Sequence, residues 1–295
     1  MMLPQTVALR DSWPAGLPQK TELTQVPFFP QKDYQCGPAA LATSLANFKV
    51  KVTSDELIDQ VYLPARQGSL QVEMLAAPRR YGMVSYQLAP RLEDLLREVA
   101  AGVPVVVLQN YGVGPFSKWH YAVIVGFDYQ RGEVILRSGE TERLTLAFPV
   151  LEYTWKASNY WAMVTLPPDR IAVTADESRW LEAVLAMERI GDALASKTAY
   201  ASFLKRWPDN VTASVGMANR FHASGELNEA EHLLRRTTRR HPDSVPALNN
   251  LAQTLSDLGR HDEAMAVIDR AAALGGPFAA SVAQTREAIL QRRKQ

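Results

Sequence analysis

The chain has 295 residues, 47% hydrophobic and 21% charged, enough to bury more than one core, so two domains are the default expectation. Its 32 Lys and Arg nearly cancel its 31 Asp and Glu, which removes the broad electrostatic pull expected of a nucleic-acid binder. One cysteine excludes an intramolecular disulfide, no CxxC or His cluster suggests a metal or other cofactor, and no apolar run approaches the ~20 residues that span a bilayer.

Residues 1–25 read as an extended, Pro-containing leader, with Trp13-Pro14 placed to pack on the domain that follows. The stretch lacks the basic flank and apolar core of a signal peptide. An export segment removed upstream would make the protein periplasmic and its absence cytoplasmic, so the compartment stays open.

The domain assigned to residues 26–168 begins with Gln31-Lys32-Asp33-Tyr34-Gln35-Cys36-Gly37-Pro38, and Pro38 is well placed to open a helix running to Asn47. Cys36 therefore lies at a helix N-terminus, where unpaired N–H groups and the macrodipole favour an anion. That position predicts a thiol that ionises more readily than a free one. Three more helices are expected: Thr53–Tyr62, Ser69–Ala77 with Ser69 as its cap, and Arg91–Ala101 stopped by Gly102.

Strands follow at Val103–Asn110, Lys118–Asp128, Glu133–Arg137, Arg143–Phe148 and Trp161–Leu166, enough for a mostly antiparallel sheet. His120 stands at the mouth of the second. A histidine there can face a helix start across a cleft, take the proton of a cysteine thiol and return it to a leaving amine. Gln31 is the candidate to point a side-chain amide at the developing oxyanion, beside the N–H of Cys36. Loops 64–68 and 111–117 are candidate rims, the second for its glycines.

Pro167-Pro168-Asp169 marks the boundary. Beyond it, over residues 174–295, Gly191, Gly225 and Gly259 recur every 34 residues, as do Pro208 with Pro242 and Ala230 with Ala264. That period is the tetratricopeptide signature of paired helices, in units 177–210, 211–244 and 245–278 with a capping helix after them. Trp180, Ala218, Phe221, Ala252, Leu255, Ile268 and Ala271 fall where side chains interlock between helices. His222, His232, His241 and His261 read as solvated. The concave face of such a stack suits a protein partner.

Gln31, Cys36-Gly37-Pro38-Ala39-Ala40-Leu41 and His120-Tyr121-Ala122-Val123-Ile124-Val125-Gly126 together resemble the papain-like cysteine peptidases of the bacteriocin-processing, double-glycine-leader type, over roughly residues 26–167. The resemblance implies an α+β papain-like domain, helical lobe plus antiparallel sheet, followed by the all-α tetratricopeptide-repeat domain. It implies peptide hydrolysis by Cys36 and His120 without a cofactor, and relatives that are often exported from Gram-negative cells. Three positions depart from the family pattern. Gln35 precedes Cys36 where an acid is common, and Gln31 stands one position closer to Cys36 than the family's oxyanion glutamine. The strand after the histidine strand ends in Ser138 where the family carries an Asp; Asp128 and Glu140 are the nearby carboxylates that would substitute. A weak or inactive adaptor, and a transpeptidase or acyltransferase using the same acyl-enzyme, are the rival readings.

Overall fold

The computed structural model describes residues 3–31, 35–112, 116–189 and 192–294; Gly191 and the glycine and proline of the 113–115 rim lie outside them. The N-terminal stretch is not extended throughout, because α1 (Pro4–Asp11) is a helix. Proline at its first position lacks the N–H that would go unpaired, and the buried Glu152 carboxylate accepts from the Gln5 and Thr6 amides at 3.1 and 2.6 Å. Trp13 then packs on Phe127 and Tyr129, with ring centroids 5.9 and 4.4 Å apart, and β1 (Lys20–Glu22) follows.

The helical lobe comprises α2 (Cys36–Ala46), α3 (Ser54–Val61) and α4 (Gln71–Ala76), with the short hairpin β2 (Tyr62–Leu63) and β3 (Gly68–Ser69) between the last two. Thr53 caps α3 in a reciprocal box with Glu56. Ser69 does not cap α4, since it is drawn into the hairpin and Leu70 takes the cap position. Strand β4 (Val84–Gln87) and helix α5 (Leu92–Ala100) lead into β5 (Val105–Asn110), β6 (Trp119–Asp128), β7 (Glu133–Ser138) and β8 (Thr141–Ala147); α6 (Phe148–Lys156) and β9 (Ala162–Leu166) complete the layer.

Every pairing in the large sheet is antiparallel. Its order is β4-β9-β5-β6-β7-β8, and β1 adds to β6 beyond the end of β5. Gly126 makes that addition possible, because a Cβ there would sit 2.7 Å from the Thr21 carbonyl oxygen. Helix α2 is buried from Cys36 through Leu45, and its small Ala residues let it lie close on the sheet. Leu41, Leu45, Val106, Val123 and Met163 form the core beneath it, each worth about 1.5–3 kcal/mol of burial.

The chain divides into two compact units, 1–183 and 184–295, within α7 (Glu177–Glu188) rather than at Pro167-Pro168. The segment after the prolines stays with the first unit for physical reasons. Buried Glu98 accepts from the Thr174 amide and hydroxyl at 2.8 and 2.6 Å, and Trp180 lies 5.0 Å from the Tyr86 ring. Trp180 thus serves the first unit's core rather than the repeats.

The second unit is all helical: α8 (Ala193–Arg206), α9 (Val211–Ala223), α10 (Leu227–Arg240), α11 (Val245–Asp257), α12 (His261–Leu274) and α13 (Ala279–Arg293). The 34-residue period is visible in the caps. Asn210 and Ser244 each accept from the third amide of their helix, and Gly225 and Gly259 take φ of +76° and +78° between helices. Ala218, Ala252, Leu255, Ile268 and Ala271 are buried, while Phe221 is only partly so. His222 is not merely solvated, since its Nε2 lies 2.7 Å from Asp257.

Gly216 of α9 faces Tyr200 so closely that an added Cβ would sit 2.5 Å from the ring's Cζ. Intrinsic propensity favours alanine in a helix by ~1 kcal/mol, and overpacking opposes it by ~1–3 kcal/mol. Gly216→Ala is therefore expected to lower the thermal midpoint of the helical signal in circular dichroism. An unchanged or higher midpoint would mean that Tyr200 swings aside freely.

Candidate active site

Cys36 and His120 line the same cleft, because α2 starts against the sheet near the beginning of β6. The amides of Tyr121, one residue past His120, and of Gly37 and Cys36 lie near the Cys36 sulfur and favour its anion. Gly37 is required next to the sulfur, because a Cβ there would lie 2.6 Å from Ser69 Cβ. Both candidate residues line a cleft of about 820 Å³, with Gln31 on the side of Cys36 and Gln67, Lys118 and Asn159 around its rim. The 64–68 segment therefore borders the cleft, as its sequence position suggested, with Gln67 at φ +46°. Of the other rim, Asn110 Oδ1 accepts from the Gly112 and Lys118 amides at 2.8 Å each, which ties the loop's two ends together.

Gln31 is held from the opposite side. Its amide donates to the Gly139 carbonyl at 3.1 Å, in the turn between β7 and β8. Ser138, on the same turn, places its hydroxyl 2.8 Å from His120 Nε2. One turn thus fixes both the candidate oxyanion residue and the neighbour of the imidazole. The carboxylates do not take that place: Asp128 sits at the far end of β6 with Lys20 at 3.2 Å, and Glu140 is exposed. A small chamber of about 10 Å³ behind the thiol, bordered by Gln31, Thr43 and Ser138, is at the lower limit for one water.

Titration departs from the helix-start expectation. Burial pushes the Cys36 thiol up, against the lowering effect of the Tyr121, Gly37 and Cys36 amides. Burial, helped by the charge of Lys118, pulls His120 down to about 4. Removing a charge from water outweighs three amide dipoles, so the resting pair is neutral thiol and neutral imidazole.

The sequence pattern missed two groups beside His120. Tyr111 lies against His120, with ring centroids 5.5 Å apart, and its hydroxyl donates to Gln109 Oε1 at 2.9 Å. Gln109 is fully buried and is the cross-strand partner of His120. A glutamine late in an otherwise apolar strand, opposite the histidine, was the available signal.

Residues 23–148 match the family described as Peptidase_C39 like, and residues 221–283 match the tetratricopeptide repeat. The chain carries a C39-like peptidase domain followed by tetratricopeptide repeats, a protein-interaction module. Among solved structures, a C39-like peptidase from Bacillus anthracis aligns at 17% identity and TM-score 0.43, over 50% of this chain and 98% of that one. A double glycine motif protease from an AMS/PCAT transporter, solved with its leader peptide, aligns at 20% and 0.38 over 48% and 92%. The peptidase domain of Streptococcus ComA, a bifunctional ABC transporter in quorum sensing, aligns at 18% and 0.39 over 48% and 99%. No curated protein matches. Among the described residues no helix is long and apolar enough to cross a membrane.

Proposed function

We propose that the chain is a cysteine peptidase whose repeat domain, within residues 184–295, binds a protein substrate or partner along its concave face. The observation that carries the reading is His120 held by Ser138 at 2.8 Å on the wall of the cleft that Cys36 opens into. With Nε2 occupied, Nδ1 is the nitrogen left to act as base. It takes the thiol proton as sulfur attacks the peptide carbonyl; the oxyanion accepts from the Cys36 amide and the Gln31 side chain. The protonated imidazole then gives its proton to the leaving amine, and water, deprotonated by the same nitrogen, hydrolyses the thioester. No cofactor enters these steps.

A peptidase-shaped adaptor is the second reading, favoured by the neutral hydroxyl of Ser138 where a carboxylate would stabilise an imidazolium.

The pH dependence separates a resting neutral pair from a preformed ion pair. The thiol is raised, so alkylation of Cys36 by iodoacetamide should begin above the ~8.5 of a free thiol. The imidazole is lowered, so it loses its function as base only as pH falls through about 4. Hydrolysis of a peptide with a double-glycine junction should keep its acid limb there rather than near 6.5. Alkylation well below pH 8 would require a preformed ion pair. No cleavage of that peptide, or of a broad peptide library, across the range would favour the adaptor.

A further inference from the structure

The cleft that holds Cys36 and His120 carries charge of one sign. Two cations line it, Arg66 and Lys118, and among its described lining residues there is no Asp or Glu. Arg66 ends the turn Pro64–Arg66 that joins β2 to β3 in the helical lobe. Lys118 immediately precedes β6 on the sheet, its amide anchored to Asn110 Oδ1 at 2.8 Å. Both are exposed, and among the described residues neither is ion-paired with a carboxylate. Other cations of the chain are neutralised where they stand: Arg235 and Arg260 share Glu231 and Glu263, and Arg143 pairs with Glu22. A net charge of +1 over the whole chain supplies no general attraction for anions, so the field in the cleft is local. The rest of the lining suits a peptide main chain. Gln67 and Asn159 sit at φ +46° and +55°, a conformation costly for a residue with a Cβ, and their carboxamides can both donate to and accept from a backbone.

We propose that the cleft selects acidic peptides: Arg66 and Lys118 are specificity-determining residues that pair with carboxylate side chains of a chain laid across Cys36, while the carboxamides hold its backbone. The cleavage arm of the test rests on the peptidase reading, but the binding arm does not, because it is read with the nucleophile removed. Lys118 has a second effect. Its charge disfavours protonated His120, and a substrate carboxylate beside it cancels that opposition at the step where the imidazole takes the thiol proton. An acidic substrate therefore gains in kcat as well as KM through Lys118, and in KM alone through Arg66.

Three fluorescein-labelled peptides of one length carry a double-glycine junction flanked on both sides by glutamates, glutamines or lysines. Their binding to the full-length Cys36→Ala chain is measured by anisotropy at low salt. Exposed charge pairs change affinity by about two- to fivefold each, so the glutamate peptide should bind about tenfold tighter than the lysine peptide, with glutamine between. The gap should close at high salt. Arg66→Glu combined with Lys118→Glu should invert the order, and both sites are exposed, so the core is untouched. In the chain that keeps Cys36, Lys118→Gln should remove the glutamate advantage in kcat, and Arg66→Gln only part of that in KM. Equal affinities at low salt, no binding, or a glutamate preference that survives the double reversal overturns the proposal, the last by placing the anion site elsewhere on the chain. The expected order of affinities in a chain that cleaves none of the three supports the charge selection and sinks the peptidase reading instead.

Discussion

Cys36→Ala is expected to abolish peptide hydrolysis while leaving the fold intact. In nucleophile-base enzymes, removing the nucleophile costs on the order of 10⁶ in turnover, because no other group forms the covalent intermediate. Cys36 is the only cysteine, so the variant also loses all iodoacetamide labelling, a second readout from the same preparation. The structural cost is small: the side chain is short, and alanine already fills the neighbouring Ala39 and Ala40 of a helix buried along its length. Steady-state assay and thermal unfolding are run side by side. Hydrolysis at the wild-type rate by a folded Cys36→Ala chain would take the chemistry away from this cleft altogether.

Ser138→Asp should act in the opposite direction. A carboxylate placed where the hydroxyl lies 2.8 Å from Nε2 favours the protonated imidazole, so the His120 pKa should rise from about 4 and the acid limb of activity should move up with it. Turnover should rise as well, with a ceiling on the order of 10⁴, the cost of losing such a partner where it is otherwise essential. The new charge would be buried, but it would meet the His120 ring as a donor. Histidine NMR titration and kcat measured against pH check the two effects separately. A raised pKa with unchanged turnover would show that stabilising the imidazolium is not what limits the reaction. No pKa change would mean that the side chain at 138 does not reach the ring.

Much of this site was legible because its signals are local. Pro38 and the run of alanines announce the α2 start, the β-branched residues around His120 announce β6, and Ser138 is found by counting along the next strand. The sense of the thiol's titration was not legible, because amide dipoles are a property of position in a helix whereas burial depends on what the sheet places over the sulfur. Helix α6 was hidden by Phe148, which reads equally well as a strand end. Strand β4 was hidden by its length of four residues. Gln109, Tyr111 and Thr154 are 45 residues apart at their extremes and become one group only when α6 packs on β5.

The place of β9 in the sheet has a consequence for how the protein comes into being. Residues 162–166 sit between β4 and β5, neither at an edge nor beside their sequence neighbours. During synthesis the sheet therefore stays open until this segment has emerged, more than a hundred residues after Cys36, and α1 waits longer still, with 147 residues between Gln5 and Glu152. Such long-range closure makes folding slow and concerted, whereas the helical pairs that follow need only their neighbours. A half-made chain on the ribosome exposes its thiol but has no finished cleft around it, so assembly of the centre is deferred until β9 has emerged.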